Sequence, residues 1–335
     1  MDSSILNRAF GALIGGAVGD EMGMPFEFLT REEIKNKYGY INDFLRTEKM
    51  NMKNCFSKGE DFGITDDTSE SAILARVLIE NGRFDEAVFN SSMKKWAIDQ
   101  KVLESDIIGP SSRKYLEALV NGKNPQEWAI KAKTNGSAMR VAPIGVKYYS
   151  NLSACIEAAA ASSVPSHASK PAVAASCAVA AAVAAGVMGG YSVVDILRIA
   201  YDAAIYGEKK GFDISSPSVS KRIGLIEHIV DSCSDSCDMN DVIDEAAGIF
   251  GAGTMAYESV PFAFAMFYAA NGSPEIAIPA AVNAGDDTDT NALICGTICG
   301  AFSGAESIPE DWRKTAESTS GIDFELTAKK LICVL

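Results

Sequence analysis

The chain has 335 residues, of which 47% are hydrophobic, so it is long enough for one large domain or two ordinary ones. Its formal net charge is −14, and lysine and arginine form no cluster beyond short pairs, which argues against nucleic acids and anionic membranes as partners. Eight cysteines without a Cys-x-x-Cys motif, only two histidines and no basic signal-peptide region predict a cytoplasmic protein without a zinc site.

Helical periodicity or alanine richness occurs in segment after segment along the chain. Ser3 is predicted to cap the first helix and Thr68 the second, which ends at Asn81-Gly82. Strand patterns are essentially absent and no Pro/Ser-rich linker divides the sequence, so we expect one all-α domain over residues 1–335. Residues 36–63 are the least regular and are predicted to cover or border a site. The predicted helices cover residues 5–18, 69–80, 85–96, 112–120, 125–133, 153–162, 171–187, 193–206, 218–230, 241–248, 261–270, 274–283 and 292–301.

Residues 171–190 are the most membrane-like stretch of the sequence. They are almost wholly alanine, valine and glycine, and Met188 is the only bulky residue among them. Alanine is too weakly apolar to drive membrane insertion. We therefore interpret the stretch as a buried helix with close neighbours.

Two acidic clusters are the most informative motifs: Thr65-Asp66-Asp67-Thr68 and Gly285-Asp286-Asp287-Thr288-Asp289-Thr290. Each leads directly into an apolar helical run. Either cluster alone is typical of a helix N-cap, with acidic residues near the positive end of the helix dipole. Two near-copies favour another interpretation, because the repulsion between partly buried carboxylates is relieved when divalent cations lie between them. Since all the ligands on offer are oxygen atoms, the pattern favours Mg²⁺ or Mn²⁺ and a two-metal site.

Three short loops have the composition of ligand-binding turns. They are Asn135-Gly136-Ser137-Ala138-Met139-Arg140, Gly251-Ala252-Gly253-Thr254 and Gly109-Pro110-Ser111-Ser112. In the first loop, glycine and serine leave backbone N–H groups accessible to an anion, although each of the three loops alone is more typical of an ordinary turn.

Taken together, these motifs resemble the ADP-ribosylglycohydrolase family, which includes the dinitrogenase-reductase-activating glycohydrolase-like proteins. The resemblance covers nearly the whole chain and is closest to a bacterial subgroup of uncharacterised hydrolases. The matching elements, in family order, are residues 11–20, Gly23-Met24-Pro25-Phe26-Glu27, the first acidic cluster, residues 135–140, His167, Gly251-Ala252-Gly253 with Glu258-Ser259-Val260-Pro261, and residues 283–290.

The resemblance implies a compact orthogonal helical bundle that holds two Mg²⁺ or Mn²⁺ ions. By position, the metal ligands would be Thr65, Asp66, Asp67, Asp287, Asp289 and Thr290. Glu27 matches a loop glutamate near the scissile bond, so the implied catalytic residues are Glu27, Asp66, Asp67 and Asp287. The implied substrate-binding residues are Asn135, Gly136, Ser137, Met139 and Arg140, together with His167, Gly253 and Thr254.

The implied activity is hydrolysis at the ribose 1-position of ADP-ribosylated protein or small-molecule substrates. Metals would orient the ribose and activate a water molecule. Glu27 would position that water, take its proton or hold the ribose, and the sequence does not choose among these roles. The alternatives are a nucleoside-type N-glycosidase and a non-catalytic ADP-ribose-binding protein; a structural role is a further class.

Three positions depart from the family pattern. Asp286 replaces a glycine that adopts a positive φ, which adds a charge beside the metals and puts their affinity in question. Ile107 replaces an acidic residue of arginine-specific members, which weakens the case for an arginine leaving group because an apolar side chain does not pair with guanidinium. The residues that follow His167 also differ from the commoner pattern.

Overall fold

The computed structural model of the protein describes residues 3–45, 63–105, 108–233 and 238–333. Helices make up most of these residues, which contain no β-strand and only three isolated β-bridges. The predicted all-α class is therefore confirmed. The helices are α1 (Ser3–Gly23), α2 (Arg31–Tyr38), α3 (Asp66–Asn81), α4 (Glu86–Asp99), α5 (Pro110–Val120), α6 (Gln126–Ala129), α7 (Gly136–Met139), α8 (Ala142–Lys147), α9 (Leu152–Ser163), α10 (Lys170–Met188), α11 (Val193–Lys210), α12 (Val219–Ile223), α13 (Ile226–Ser232), α14 (Met239–Phe250), α15 (Ala256–Ala269), α16 (Pro274–Val282), α17 (Thr288–Ser303), α18 (Glu310–Ser320) and α19 (Phe324–Cys333).

The start of α3 differs from the predicted start. Thr65 is the N-cap, because its side chain accepts a hydrogen bond of 3.2 Å from the backbone N–H of Asp67. The prediction of Thr68 as the cap was wrong by three positions. The earlier start places both aspartates of the first cluster inside the first helical turn, where the helix dipole favours negative charge. The predicted end is confirmed, since Gly82 is the C-cap with a φ of 70°.

Other helix boundaries also differ from the predicted ones. The predicted helix at 218–230 is divided into α12 and α13 around Gly224 and Leu225. Helix α15 begins at Ala256, five residues before Pro261, so that this proline lies inside the helix. Five helices have no counterpart among the predicted ones: α2, α7, α8, α18 and α19. Of the irregular segment 36–63, residues 46–62 lie outside the described part of the chain.

Helices α1 and α17 are antiparallel and approach each other through backbone contacts. A Cβ atom built on Gly15 would lie 2.3 Å from the carbonyl oxygen of Gly296, and one on Gly23 would lie 2.4 Å from the carbonyl oxygen of Thr288. Only glycine fits at such positions. This packing brings the last turn of α1 against the first turn of α17, which carries the second acidic cluster.

Helix α10 passes through the centre of the core. It is long and apolar enough to meet the length and composition criteria for a membrane span, but 94% of its most apolar window is buried inside the fold. It packs against α8, α9, α11 and α17. The interpretation of this alanine-rich stretch as a buried helix is confirmed.

Candidate metal and substrate site

A cavity of about 100 Å³ lies where the turn after α1 meets the first turns of α3 and α17. Among the described residues, its lining contains five carboxylates and no lysine or arginine. The five are Glu27, Asp66, Asp67, Asp287 and Asp289. The remaining lining residues are Phe28, Ile108, Gly109, Pro110, Ser112, Thr134, Asn135, Gly136, Met139, Thr254 and Thr290. The two clusters, more than 200 residues apart in sequence, thus share one cavity.

The first cluster is held in place by Asp20, a fully buried residue of α1. Its carboxylate accepts hydrogen bonds from the backbone N–H groups of Thr65, at 3.1 and 3.2 Å, and of Thr68, at 3.2 Å. The hydroxyl of Thr68 donates a further bond of 2.5 Å to it. Asp20 therefore satisfies the free N–H groups at the start of α3 and directs the two following aspartates towards the cavity.

The second cluster is fixed by contacts from three directions. The hydroxyl of Thr288 donates to the carbonyl oxygen of Gly23 at 2.8 Å, which ties α17 to the end of α1. The backbone N–H of Asp287 donates to the carbonyl oxygen of Ala252 at 3.1 Å. The side-chain amide of Asn135 donates to the Asp287 carboxylate at 2.6 Å. The orientation of Asp287 therefore depends on α1, on residues 251–254 and on residues 135–140.

Glu27 enters the cavity from the turn after α1. One carboxylate oxygen from each of Glu27, Asp287 and Asp289 lies within 4.8 Å of the others. The next residue, Phe28, has a φ of 62°, and its backbone N–H donates to the carbonyl oxygen of Asp286 at 2.7 Å. Asp286 itself has a φ of 63°, as expected for a position that glycine normally occupies, and aspartate is one of the residues that tolerate this conformation best.

The carboxylates of the site favour bound cations. Burial, followed by the charges of neighbouring carboxylates, raises the pKa values of Asp66, Asp67 and Asp289 well above the ordinary value. Burial also raises the pKa of Asp287 to about 7. One carboxylate oxygen of Asp67 is buried and has no hydrogen-bond partner in the described part of the chain. Such an oxygen, in an all-oxygen cluster whose described lining has no lysine or arginine, fits a divalent metal such as Mg²⁺ or Mn²⁺.

Ten of the predicted site residues line the cavity, namely Glu27, Asp66, Asp67, Asn135, Gly136, Met139, Thr254, Asp287, Asp289 and Thr290. Five others, Thr65, Ser137, Arg140, His167 and Gly253, are not part of its lining. Arg140 forms a buried ion pair of 2.5 Å with Glu70, and His167 is fully buried between two hydroxyl groups. The hydroxyl of Ser137 lies 2.8 Å from those of Ser163 and Ser176. Direct contact of these five residues with a ligand stays a prediction.

Asp20, Phe28 and Thr134 were not among the predicted site residues. Asp20 carried a signal, since it follows an apolar, glycine-rich run inside α1, where a buried charge needs a partner. Phe28 and Thr134 adjoin predicted site residues, but sequence patterns do not show which neighbours turn towards a cavity. Ile107, on which the argument about arginine rested, lies outside the described residues.

A larger cavity of about 460 Å³ lies on the other side of α3, among α1, α8, α17 and α19. Its lining is mainly apolar, and Glu80 is the only acidic residue that the described part of the chain contributes to it. Met139 contributes to both cavities. Size alone would favour this larger space as the active site, but the polar groups needed for chemistry converge in the smaller one.

The chain is similar to known proteins along nearly its whole length. The sequence profile of the ADP-ribosylglycohydrolase family matches residues 1–332. An uncharacterised protein of Escherichia coli, YegU, is 31% identical over 97% of this chain and 96% of its own length. Human ADP-ribosylhydrolase ARH3 is 26% identical over 95% of this chain and 92% of its own. A solved structure described as an ADP-ribosylglycohydrolase-related protein complex superimposes with a TM-score of 0.68 at 22% identity, covering 99% of both chains.

Proposed function

We propose that this chain, which belongs to the ADP-ribosylglycohydrolase family, hydrolyses the bond at the ribose 1-position of ADP-ribosylated protein or small-molecule substrates. Family membership identifies it as a glycosidic-bond hydrolase. The observation that carries the proposal is the meeting of Glu27 with both acidic clusters in one cavity. A protein that only bound a ligand would not need so many buried like charges, since each one destabilises the fold unless it is neutralised.

Two Mg²⁺ or Mn²⁺ ions are the proposed cofactors. The residues that would hold them are Thr65, Asp66 and Asp67 at the start of α3 and Asp287, Asp289 and Thr290 at the start of α17. When bound, such ions orient sugar hydroxyls and lower the pKa of a water molecule. Five of the six proposed ligands line the cavity; Thr65 caps the helix behind them.

Glu27 is the proposed catalytic carboxylate. It comes from a turn, whereas the four lining aspartates come from helix starts, so it approaches the cavity from a different direction. A carboxylate in this place positions the attacking water, accepts its proton or holds the ribose. Asn135 supports the reaction indirectly, because its amide holds the Asp287 carboxylate in a fixed orientation.

The proposed substrate class is O-linked ADP-ribose. The carboxylate-rich lining would repel the diphosphate, so metals and a neutral donor such as Thr134 would have to face it. The argument against an arginine leaving group rests on Ile107 in the sequence. A nucleoside substrate is the second candidate, because it places no charge in an acidic cavity.

The test is a turnover assay of purified protein with Mg²⁺ and a panel of serine-linked ADP-ribose, arginine-linked ADP-ribose and nucleosides. We expect release of ADP-ribose from the serine-linked substrate and titratable binding of free ADP-ribose by calorimetry. Absence of ADP-ribose binding at millimolar concentration, with cleavage of a nucleoside, would replace the proposal by a nucleosidase. Binding without turnover of any substrate would leave a non-catalytic ADP-ribose-binding protein.

A further inference from the structure

A chain of buried polar side chains runs behind the cavity from α3 to the loop before α7. Arg140 pairs with Glu70 at 2.5 Å and donates a hydrogen bond of 2.6 Å to the hydroxyl of Ser166. That hydroxyl lies 2.8 Å from Nδ1 of His167, and Nε2 of His167 lies 3.0 Å from the hydroxyl of Thr134. All of these residues except Thr134 are at most 1% exposed, and Thr134 is 7% exposed and lines the cavity.

The available hydrogen-bond donors and acceptors set the direction of every hydrogen bond in this series of side chains. A guanidinium group only donates, so the Ser166 oxygen accepts from Arg140. Among the described residues, Nδ1 of His167 is the only acceptor within reach of the Ser166 proton, and a buried hydroxyl without an acceptor is costly. Ser166 therefore donates to Nδ1, which must carry no proton.

The ring of His167 is consequently neutral, with its proton on Nε2. Burial, and then the charge of Arg140, lowers the pKa of His167 well below its ordinary value, which agrees with a neutral ring. Nε2–H then donates to the Thr134 oxygen. The Thr134 proton is left without an acceptor in the described part of the protein, and its side chain borders the cavity.

We infer that Thr134 is a substrate-binding residue whose hydroxyl donates a hydrogen bond to a phosphoryl or hydroxyl oxygen of the ligand, and that Arg140, Ser166 and His167 position that hydroxyl. The backbone around Thr134 is rigid, because Lys133 O accepts from Ala256 N at 2.9 Å and Asn135 N donates to Thr254 O at 3.0 Å. The inference rests on the proposed function for the identity of the ligand, but not for the direction of the hydrogen bonds.

The ligand contact is tested by calorimetry with ADP-ribose and Mg²⁺. Thr134→Val keeps the branched shape and removes the donor, and we expect about tenfold weaker binding. Thr134→Ser restores the hydroxyl and should bind within about threefold of the wild type. Thr134→Val that binds like the wild type overturns the contact and leaves the proposed function intact, whereas a wild type that binds no ADP-ribose overturns both. With ADP and adenosine as probes, a loss confined to ADP identifies a phosphoryl acceptor, and a loss with both identifies a ribose hydroxyl.

The positioning role of Arg140, Ser166 and His167 can be tested by a measurement that needs no ligand. The protein has only two histidines, and His228→Gln leaves His167 as the single source of imidazole signals. In ¹⁵N-labelled His228→Gln protein, NMR should show a neutral ring protonated on Nε2 that persists to pH 5. A proton on Nδ1 overturns the inference. Ser166→Ala should shift the ring towards the other tautomer and weaken ADP-ribose binding, while a structural role alone would leave the tautomer unchanged.

Discussion

Glu27 differs from the other carboxylates of the cavity in how it is held. The aspartates are anchored by helix starts, by Asp20 and by Asn135, whereas Glu27 lies in a turn between Phe26 and the strained Phe28. A left-handed φ at a non-glycine residue costs about 1 kcal/mol or more. This strain is maintained by the hydrogen bond to the backbone of Asp286 and fixes the direction from which the carboxylate enters the cavity.

For Glu27→Gln we expect turnover to fall at least about a hundredfold, because the amide neither accepts a proton nor carries the charge of a general base. Metal binding should persist, since the four aspartates remain. Steady-state kinetics and calorimetry with Mn²⁺ measure the two effects. Glu32→Gln, an exposed change in α2, is the control. Near-normal turnover would leave Glu27 with a structural role.

For Asp287→Asn we expect Mn²⁺ affinity to fall at least about tenfold, because a charged ligand is replaced by a neutral one. Asp311→Asn is the matched control, since Asp311 is an exposed aspartate in the first turn of α18 and does not line the cavity. It should change affinity by no more than about threefold. Equal metal affinity of Asp287→Asn and the wild type would remove Asp287 from the ligand set.

At the scale of elements, the site is built by the close packing of α1 on α17. The glycines of α1 recur at every fourth position from Gly11 to Gly23, which places them on one face of the helix. They allow backbone contact with α17, so the residues at the end of one helix and the start of the other meet. Both acidic clusters also lie in first helical turns, where the helix dipole partly offsets their repulsion.

For Gly15→Ala we expect a loss of about 1–3 kcal/mol in the free energy of unfolding, because the added methyl group collides with the backbone of α17. Gly248→Ala in α14 is the control, since nothing lies within 4 Å of its added Cβ. That change should stabilise the protein by about 0.5–1 kcal/mol through helix propensity. Urea denaturation measures the free energy of unfolding of both variants. A Gly15→Ala protein as stable as the Gly248→Ala protein would contradict the prediction, because α1 and α17 would then accommodate the methyl group at no cost.

For the whole molecule, the buried carboxylates make stability depend on pH and metal together. Burial raises the pKa of Asp20 from 3.8 to about 6 and that of Asp287 from 3.8 to about 7. A carboxyl group whose pKa is higher in the folded state than in the unfolded state stabilises the fold fully at pH values below its unfolded-state pKa. This stabilisation is lost as the pH rises through its folded-state pKa. Without metal, the fold should therefore weaken between about pH 4 and pH 7.

The corresponding prediction is that the Tm in EDTA is lower at pH 8 than at pH 5, and that excess Mg²⁺ or Mn²⁺ raises the Tm mainly at pH 8. Metals bind the deprotonated carboxylates and stabilise the folded state. Thermal scans at the two pH values, with and without metal, measure this. Asp287→Asn should show a smaller pH dependence in EDTA. A Tm in EDTA that rises from pH 5 to pH 8 would contradict the assignment.

The sequence by itself determined the helical class, most helix positions and the oxygen-rich chemistry of the two acidic clusters. These properties are local, since periodicity, helix caps and ligand type depend on residues that are close together in the sequence. The positive φ of Asp286 was predictable from the resemblance to the family, in which a glycine occupies this position.

Only the tertiary structure decided which residues face the cavity. Arg140 and His167 belong to a ligand-binding pattern in sequence, but neither side chain lines the cavity, and both form buried hydrogen bonds. Asp20, distant from the first cluster in sequence, became its anchor. Such contacts depend on how closely distant helices approach, and that distance is set by the packing of α1 on α17, which local sequence patterns do not specify.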